Sequence, residues 1–289
     1  MIARTLGWVV VLAALSALGG CGAGPQRIEE PQRLPSYPEV AQRFNARVER
    51  LNRVWSRVNL TLRAPKERGG AGVDRAEGHL QVELPDRTAL SVTKLGETYF
   101  YFGSDQEGYW WLDMSDPDAK VALYGRHEEA TPELVAELGL PVHPRELLDL
   151  FGITPLPAEP AGGRVNWDGQ RGLLRVETAG MWGQRVMWLD PVLFAPERVE
   201  LRGRRGQVRA ECEMARSISV PVRGDARVPP KIASQYRVNL PASGALLTLE
   251  LYGATNKEIS PRAFDFEGLV ESYGIDEVIL LGPDAGVRE

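Results

Sequence analysis

The side chains best suited to acid–base or metal chemistry are few in this 289-residue chain. The three histidines sit in unrelated settings: His79 in an alternating segment, His127 ahead of a helix signal, and His143 in a Pro-flanked turn. None has a second ligand at metal-site spacing, so all three read as surface or capping residues. Asp113, Asp116 and Asp118 form an acidic loop. The internal glycine and distal glutamate of a calcium loop are missing, and Asp116-Pro117 reads as a turn. The chain contains no Gly-x-Ser-x-Gly, His-Glu-x-x-His, phosphate loop or Cys-x-x-Cys. No catalytic residue, metal or cofactor is assigned, and a non-enzymatic protein is expected. Cysteine occurs twice, at Cys21 and Cys212. Cys212 alternates with Val208 and Ala210 in an extended segment, as a small buried apolar side chain would. Two cysteines in these settings give no disulfide framework.

Cys21 follows a different kind of pattern. Arg4 precedes an apolar run from Leu6 to Leu18, broken only by Gly7 and Ser16. That run is shorter than the roughly 20 residues a spanning helix needs, and matches the apolar region of a secretory signal. It ends in Leu18-Gly19-Gly20-Cys21, which resembles the bacterial lipobox. The resemblance implies cleavage before Cys21 and a thioether-linked diacylglycerol on its sulfur. Two or more acyl chains hold a protein stably on a bilayer, so the expected mature chain lies on a membrane surface in the cell envelope. Gly22 stands where some lipoproteins carry an inner-membrane retention aspartate, which points to the periplasmic face of the outer membrane.

Stepping along the chain, 34 basic against 39 acidic residues give a net charge of −5, and this acidic excess sets nucleic acid aside as the main partner. The organisation expected is a signal peptide over 1–20, a Pro-rich tether over 21–38 and one domain over 39–289. Phe44, Val48, Leu51, Trp55 and Val58 recur at helical spacing and predict an amphipathic helix from Tyr37 to about Asn59, capped by Ser36. Arg43, Arg47, Arg50, Arg53 and Arg57 flank its apolar stripe, either as a solvated face or as a contact for anionic headgroups. The period then changes to two. His79–Leu84, Thr88–Lys94, Thr98–Gly103, Tyr109–Asp113 and Val121–Tyr124 predict an antiparallel meander. Thr131–Leu138 and Pro144–Phe151 read as short helices, followed by a Pro/Gly loop over 155–163. Strands resume over Gly172–Thr178, Gln184–Asp190, Glu197–Arg202, Gln207–Met214, Ile232–Leu240 and Ala245–Tyr252. The class is α+β, with one large curved antiparallel sheet partly covered by helices.

Several phrases resemble the LolA/LolB-like superfamily of periplasmic carriers and lipoproteins. They are Val54–Leu62 after the amphipathic helix, Glu77–Pro85, Gly108-Tyr-Trp-Trp-Leu-Asp113, the insert Leu138-Gly-Leu-Pro141 with Glu146-Leu-Leu, and Trp188-Leu-Asp-Pro191 with Pro196–Leu201. The resemblance spans about residues 40–270. It implies an incomplete β-barrel with an N-terminal helix and a helical lid, and a concave apolar face able to hold acyl chains. Leu80, Val82, Phe100, Phe102, Trp110, Leu112, Val186, Trp188, Leu247 and Leu249 would supply that face. The ligand implied is a lipid or lipoprotein acyl chain. The alternative is that the same side chains fill a closed core, making a periplasmic protein-interaction or sensor module.

Overall fold

The computed structural model describes residues 28–65, 71–138, 140–158, 163–225 and 227–282. The signal segment, Cys21 and the first part of the predicted tether lie outside them.

Fourteen strands form one sheet among the described residues: β1 Arg53–Pro65, β2 Ala71–Glu83, β3 Arg87–Lys94, β4 Glu97–Ser104, β5 Gly108–Asp113, β6 Val121–Arg126, β7 Arg164–Asp168, β8 Leu173–Gly180, β9 Gly183–Leu189, β10 Pro196–Gly203, β11 Val208–Ser219, β12 Lys231–Leu240, β13 Ala245–Thr255 and β14 Glu277–Leu281. Their order is β14-β6-β5-β4-β3-β2-β1-β13-β12-β11-β10-β9-β8-β7. All pairs are antiparallel except β14 with β6. Two meanders are thus joined where β1 pairs with β13, and β7 and β14 remain as edges, so the sheet is large, curved and not closed.

The helices are α1 Tyr37–Val48, α2 Pro132–Val135, α3 Pro144–Leu150 and α4 Phe266–Tyr273. The Glu39 carboxylate accepts hydrogen bonds from the Ser36 backbone N–H (2.7 Å) and hydroxyl (3.0 Å), which fixes the start of α1. The predicted helix to Asn59 is corrected. A single 3-10 turn, Glu49–Leu51, follows α1, and Arg53 onward is strand. Val54, Ser56, Val58 and Leu60 are buried in alternation. The spacings Trp55 and Val58 shared with a helix were incidental, because seven residues of alternation, paired on both sides, outweigh them. The predicted arginine flank divides accordingly. Arg47 of α1 donates to the carbonyls of Gly152 (3.2 Å) and Lys231 (3.0 Å), and Arg50 of the following 3-10 turn pairs with Asp225 (3.1 Å), so these two cations are bound within the domain.

Helix α3 touches β4, β10 and β11, strands far apart in the sheet order, so it bridges the curl of the sheet. The main core lies on this concave side, between α1, α2, α3 and the sheet. Asn45 of α1 pins the loop after α3: its amide donates to the Leu156 carbonyl and accepts from the Leu156 N–H, both at 2.7 Å. A second core lies on the opposite face over β3–β6, where Phe264 of the 3-10 turn Pro261–Phe264 and Leu269 of α4 cover Tyr101, Trp110 and Leu112. Helix α4 has no counterpart in the elements expected from sequence. Its signals are local: Asp265 caps it by accepting from Gly268 N–H (3.0 Å), and Gly274 ends it at φ 60°.

Candidate functional site

An open cavity of about 660 Å³ lies on the concave side. It falls within the roughly 300–1,000 Å³ typical of small-molecule sites. Its walls come from both meanders. Leu60 and Leu62 of β1 stand opposite Leu249 and Leu247 of β13, and the register continues through Leu90–Phe102 and Val92–Phe100 to Trp111. Leu140 and Pro141, between α2 and α3, close one side. Phe100 and Trp111 lie tilted with ring centroids 5.0 Å apart, and Phe102 meets Trp111 edge-on at 6.2 Å. Leu62, Val92, Phe100 and Trp111 are only half-buried although they face inward. The helices therefore fill one end of the sheet and leave apolar surface uncovered at the other. Asp74, Arg75, Lys94, Tyr99, Asp113 and Ser243 stand around the opening.

Of the ten residues singled out from sequence, Phe100, Phe102 and Leu247 line this cavity. Leu249 is one register step deeper and wholly buried, as are Leu80 and Val82. Trp110 and Leu112 are not on this face: they belong to the core under α4. Val186 and Trp188 also face away, in a small cluster with Leu173. The Trp188 indole N–H donates to Asp168 (2.8 Å), and its ring lies between the guanidinium groups of Arg175 and Arg198. The physical reason is that β4, β5 and β9 are covered on both faces, so both sets of alternating side chains are apolar and the period of two does not say which set looks inward. Trp111 was left out for the same reason, and Pro141 lies between α2 and α3, where no strand period applies. The register Leu62–Leu247 and Phe102–Trp111, set by the turns, is what selects the inward set.

The histidines are better connected than their spacing indicated. His127 Nδ1 and His143 Nε2 are 3.1 Å apart. His143 Nδ1 accepts from the Arg145 backbone N–H (3.2 Å), as a cap of α3, so its proton sits on Nε2 and is donated to His127 Nδ1. His127 Nε2–H then donates to the Asp105 carbonyl (2.9 Å). Both rings are neutral and all four ring nitrogens are engaged, which leaves no nitrogen for a metal or a substrate. Tyr109 packs on both rings, and His143 is fully buried, where desolvation and the neighbouring His127 and Arg145 push its pKa down to about 2. Capping is as expected for His143, but a surface position is not. His79 is exposed and lies 5.3 Å from the Trp55 ring. In the acidic loop, Asp113 accepts from Ser115 N–H (2.9 Å) and Asp116 from Asp118 N–H (3.0 Å), so these carboxylates hold turns. Cys212 is buried, and desolvation raises its thiol pKa well above the ordinary value.

No protein-family model and no curated protein matches the chain. Solved structures do. An outer membrane lipoprotein-sorting protein domain from Vibrio parahaemolyticus aligns over 80% of this chain and 97% of its own, with TM-score 0.57 and 13% identity. A DUF1329 family protein from Desulfovibrio piger aligns over the same shares, with TM-score 0.54 and 13% identity. A LolA superfamily protein from Nitrosomonas europaea covers 78% of this chain and 97% of its own at 10% identity and TM-score 0.49. The likeness is one of architecture: the chain shares the fold of the lipoprotein-sorting domain and the DUF1329 family protein.

Proposed function

We propose that this protein is a non-enzymatic envelope lipoprotein that holds a lipid or lipoprotein acyl chain in the cavity between the sheet and the helices, with the α2–α3 insert as its lid. The observation that carries the reading is the half-buried apolar wall of Leu62, Val92, Phe100 and Trp111 around about 660 Å³ of open space. An acyl chain entering it would gain about 0.8 kcal/mol per buried methylene. The likeness to a lipoprotein-sorting domain supports this reading, and the open space counts against a closed-core interaction module. Anchoring through Cys21, a tether over 21–38, a domain over 39–289 and a place on the periplasmic face of the outer membrane complete the proposal.

The test is to fill the cavity. Ala76 of β2 stands opposite Leu60 and fronts open space, so a large side chain there occupies the ligand volume without overpacking the core. Ala76→Trp is expected to weaken binding of a fluorescent fatty acid at least tenfold and to leave the unfolding midpoint nearly unchanged. Native mass spectrometry of the parent protein is expected to show co-purified lipid. Bare parent protein that also fails to bind the fatty acid would overturn the reading.

A further inference from the structure

A second cavity, of about 1,040 Å³, opens beside the first and shares Pro141, Leu240 and Ser243 with it. Its character differs. Arg204, Arg205 and Arg209 line it, with Glu133 and Glu146 as the acidic residues. Arg209 is committed: it binds Glu146 through both guanidinium nitrogens (2.6 and 3.0 Å) and lies 4.7 Å from the Trp182 ring centre. Arg204 and Arg205 occupy the β10–β11 turn, which Gly203 N–H to Gln207 O (2.9 Å), Gly206 N–H to Gly203 O (2.8 Å) and φ 82° at Gly206 hold in shape. Both are exposed, and neither joins an ion pair among the described residues. The mouth of the apolar cavity is balanced by contrast, with Arg75 and Lys94 against Asp74 and Asp113. The apolar chamber therefore adjoins, at Pro141, Leu240 and Ser243, a vestibule whose charges outside any ion pair among the described residues are the adjacent guanidinium groups of Arg204 and Arg205 and the Glu133 carboxylate, one positive charge in excess.

We propose that the vestibule binds the anionic head of an amphiphile, a phosphate or carboxylate, whose chain occupies the apolar cavity. This rests on the acyl-cavity reading and adds the ligand's charge class. Guanidinium groups donate in pairs to planar or tetrahedral oxyanions, and the fixed turn limits the ordering cost of doing so. Pro141, Leu240 and Ser243 line both cavities, so a chain in the first and a head in the second would join over these three residues, each in its own surroundings.

The experiment compares decyl phosphate, decanol and inorganic phosphate as competitors of a fluorescent fatty acid on the full mature chain carrying Cys21→Ser. Decyl phosphate is expected to bind about tenfold tighter than decanol at low salt, with the gap closing as salt shortens the Debye length from about 30 Å to about 3 Å. Arg204→Gln with Arg205→Gln is expected to remove that gap and leave decanol binding unchanged, whereas Arg75→Gln with Lys94→Gln is expected to keep it. Inorganic phosphate alone should displace little. Equal binding of the two amphiphiles, or loss of the gap only in the Arg75/Lys94 variant, overturns the vestibule while the acyl cavity stands. Strong displacement by inorganic phosphate shows an isolated anion site and overturns the amphiphile. Failure of every decyl compound removes the acyl cavity and this proposal with it. The salt dependence of the parent protein needs no variant, so a folding defect in the turn leaves the test intact.

Discussion

Taking the protein from pH 7 to pH 4 is expected to destabilise the folded state by about 3 kcal/mol through His143 alone, and His143→Asn is expected to flatten that dependence. In the folded chain burial, His127 and Arg145 hold the His143 pKa down at about 2, whereas an unfolded histidine titrates near 6.5. Above pH 6.5 the ring is neutral in both states and contributes no pH dependence. Below it the unfolded chain binds a proton that the folded chain refuses, so stability falls by about 1.4 kcal/mol per pH unit. The hydrogen bonds explain the refusal. A proton on His143 Nδ1 would face the Arg145 N–H, and one on His127 Nδ1 would face the His143 Nε2–H. His127, also lowered chiefly by burial, adds to the slope in the same direction. The charged groups around the pair do not rescue it: Arg145 lies near, with its charge paired to Asp86 at 2.9 Å, and Glu129 and Glu137 act on Tyr109. Urea unfolding at steps between pH 7.5 and 4 measures this, with the variant subtracting the carboxylates common to both. Parallel slopes for parent and variant would contradict it. The elements that would loosen are the α3 cap and the β4–β5 turn, which His143 and the Asp105 carbonyl join.

This pair also shows how far the sequence was readable. The strands Glu197–Arg202 with Gln207–Met214, and Ile232–Leu240 with Ala245–Tyr252, are legible because their signals are short-range: alternating runs separated by Gly203-Arg-Arg-Gly206 and Pro241-Ala-Ser-Gly244, around which β10–β11 and β12–β13 pair. The caps Ser36 and Thr131 are legible for the same reason, whereas His143 reads only as one of three histidines in surface or capping positions. Contacts across long sequence separations are not legible. His127 and His143 are sixteen residues apart, and only the packing of α3 onto β4 brings their nitrogens together. The helix–strand boundary near Asn52 was misplaced because Trp55 and Val58 satisfy both periods, and tertiary pairing with β2 and β13 decides between them. The cavity was legible as a composition, apolar and aromatic strands in an α+β order, but not as a set of residues. Trp110 and Trp111 are neighbours with the same chemistry, and one register step assigns the first to the core under α4 and the second to the open wall.

Replacing Cys21 by Ser is expected to abolish lipid anchoring altogether, an effect larger than any single contact in the domain. One acyl chain binds a bilayer only reversibly, and a second makes the attachment lasting, so a side chain that accepts none removes the whole of it. No described helix is long and apolar enough to cross a membrane and take over. The variant should fail to incorporate labelled palmitate, and should either appear in the soluble fraction or keep its uncleaved signal. Unchanged membrane association with normal processing would contradict the anchor. The anchoring proposal also constrains orientation. Ile28 is hydrogen-bonded to the β7–β8 turn, with its N–H on the Gly169 carbonyl (2.7 Å) and its carbonyl accepting from Trp167 Nε1 (3.2 Å). The chain from Cys21 to Ile28 can reach at most about 25 Å. The anchor therefore holds the β7–β8 end of the sheet near the bilayer. By the antiparallel register the β3–β4, β10–β11 and β12–β13 turns lie at the other end, and these carry Lys94, the Arg204–Arg205 pair and Ser243. The turns that carry these lining residues then lie at the end of the sheet away from the anchor, so an amphiphile reaching them would be received from the periplasmic side rather than drawn from the leaflet that holds the protein.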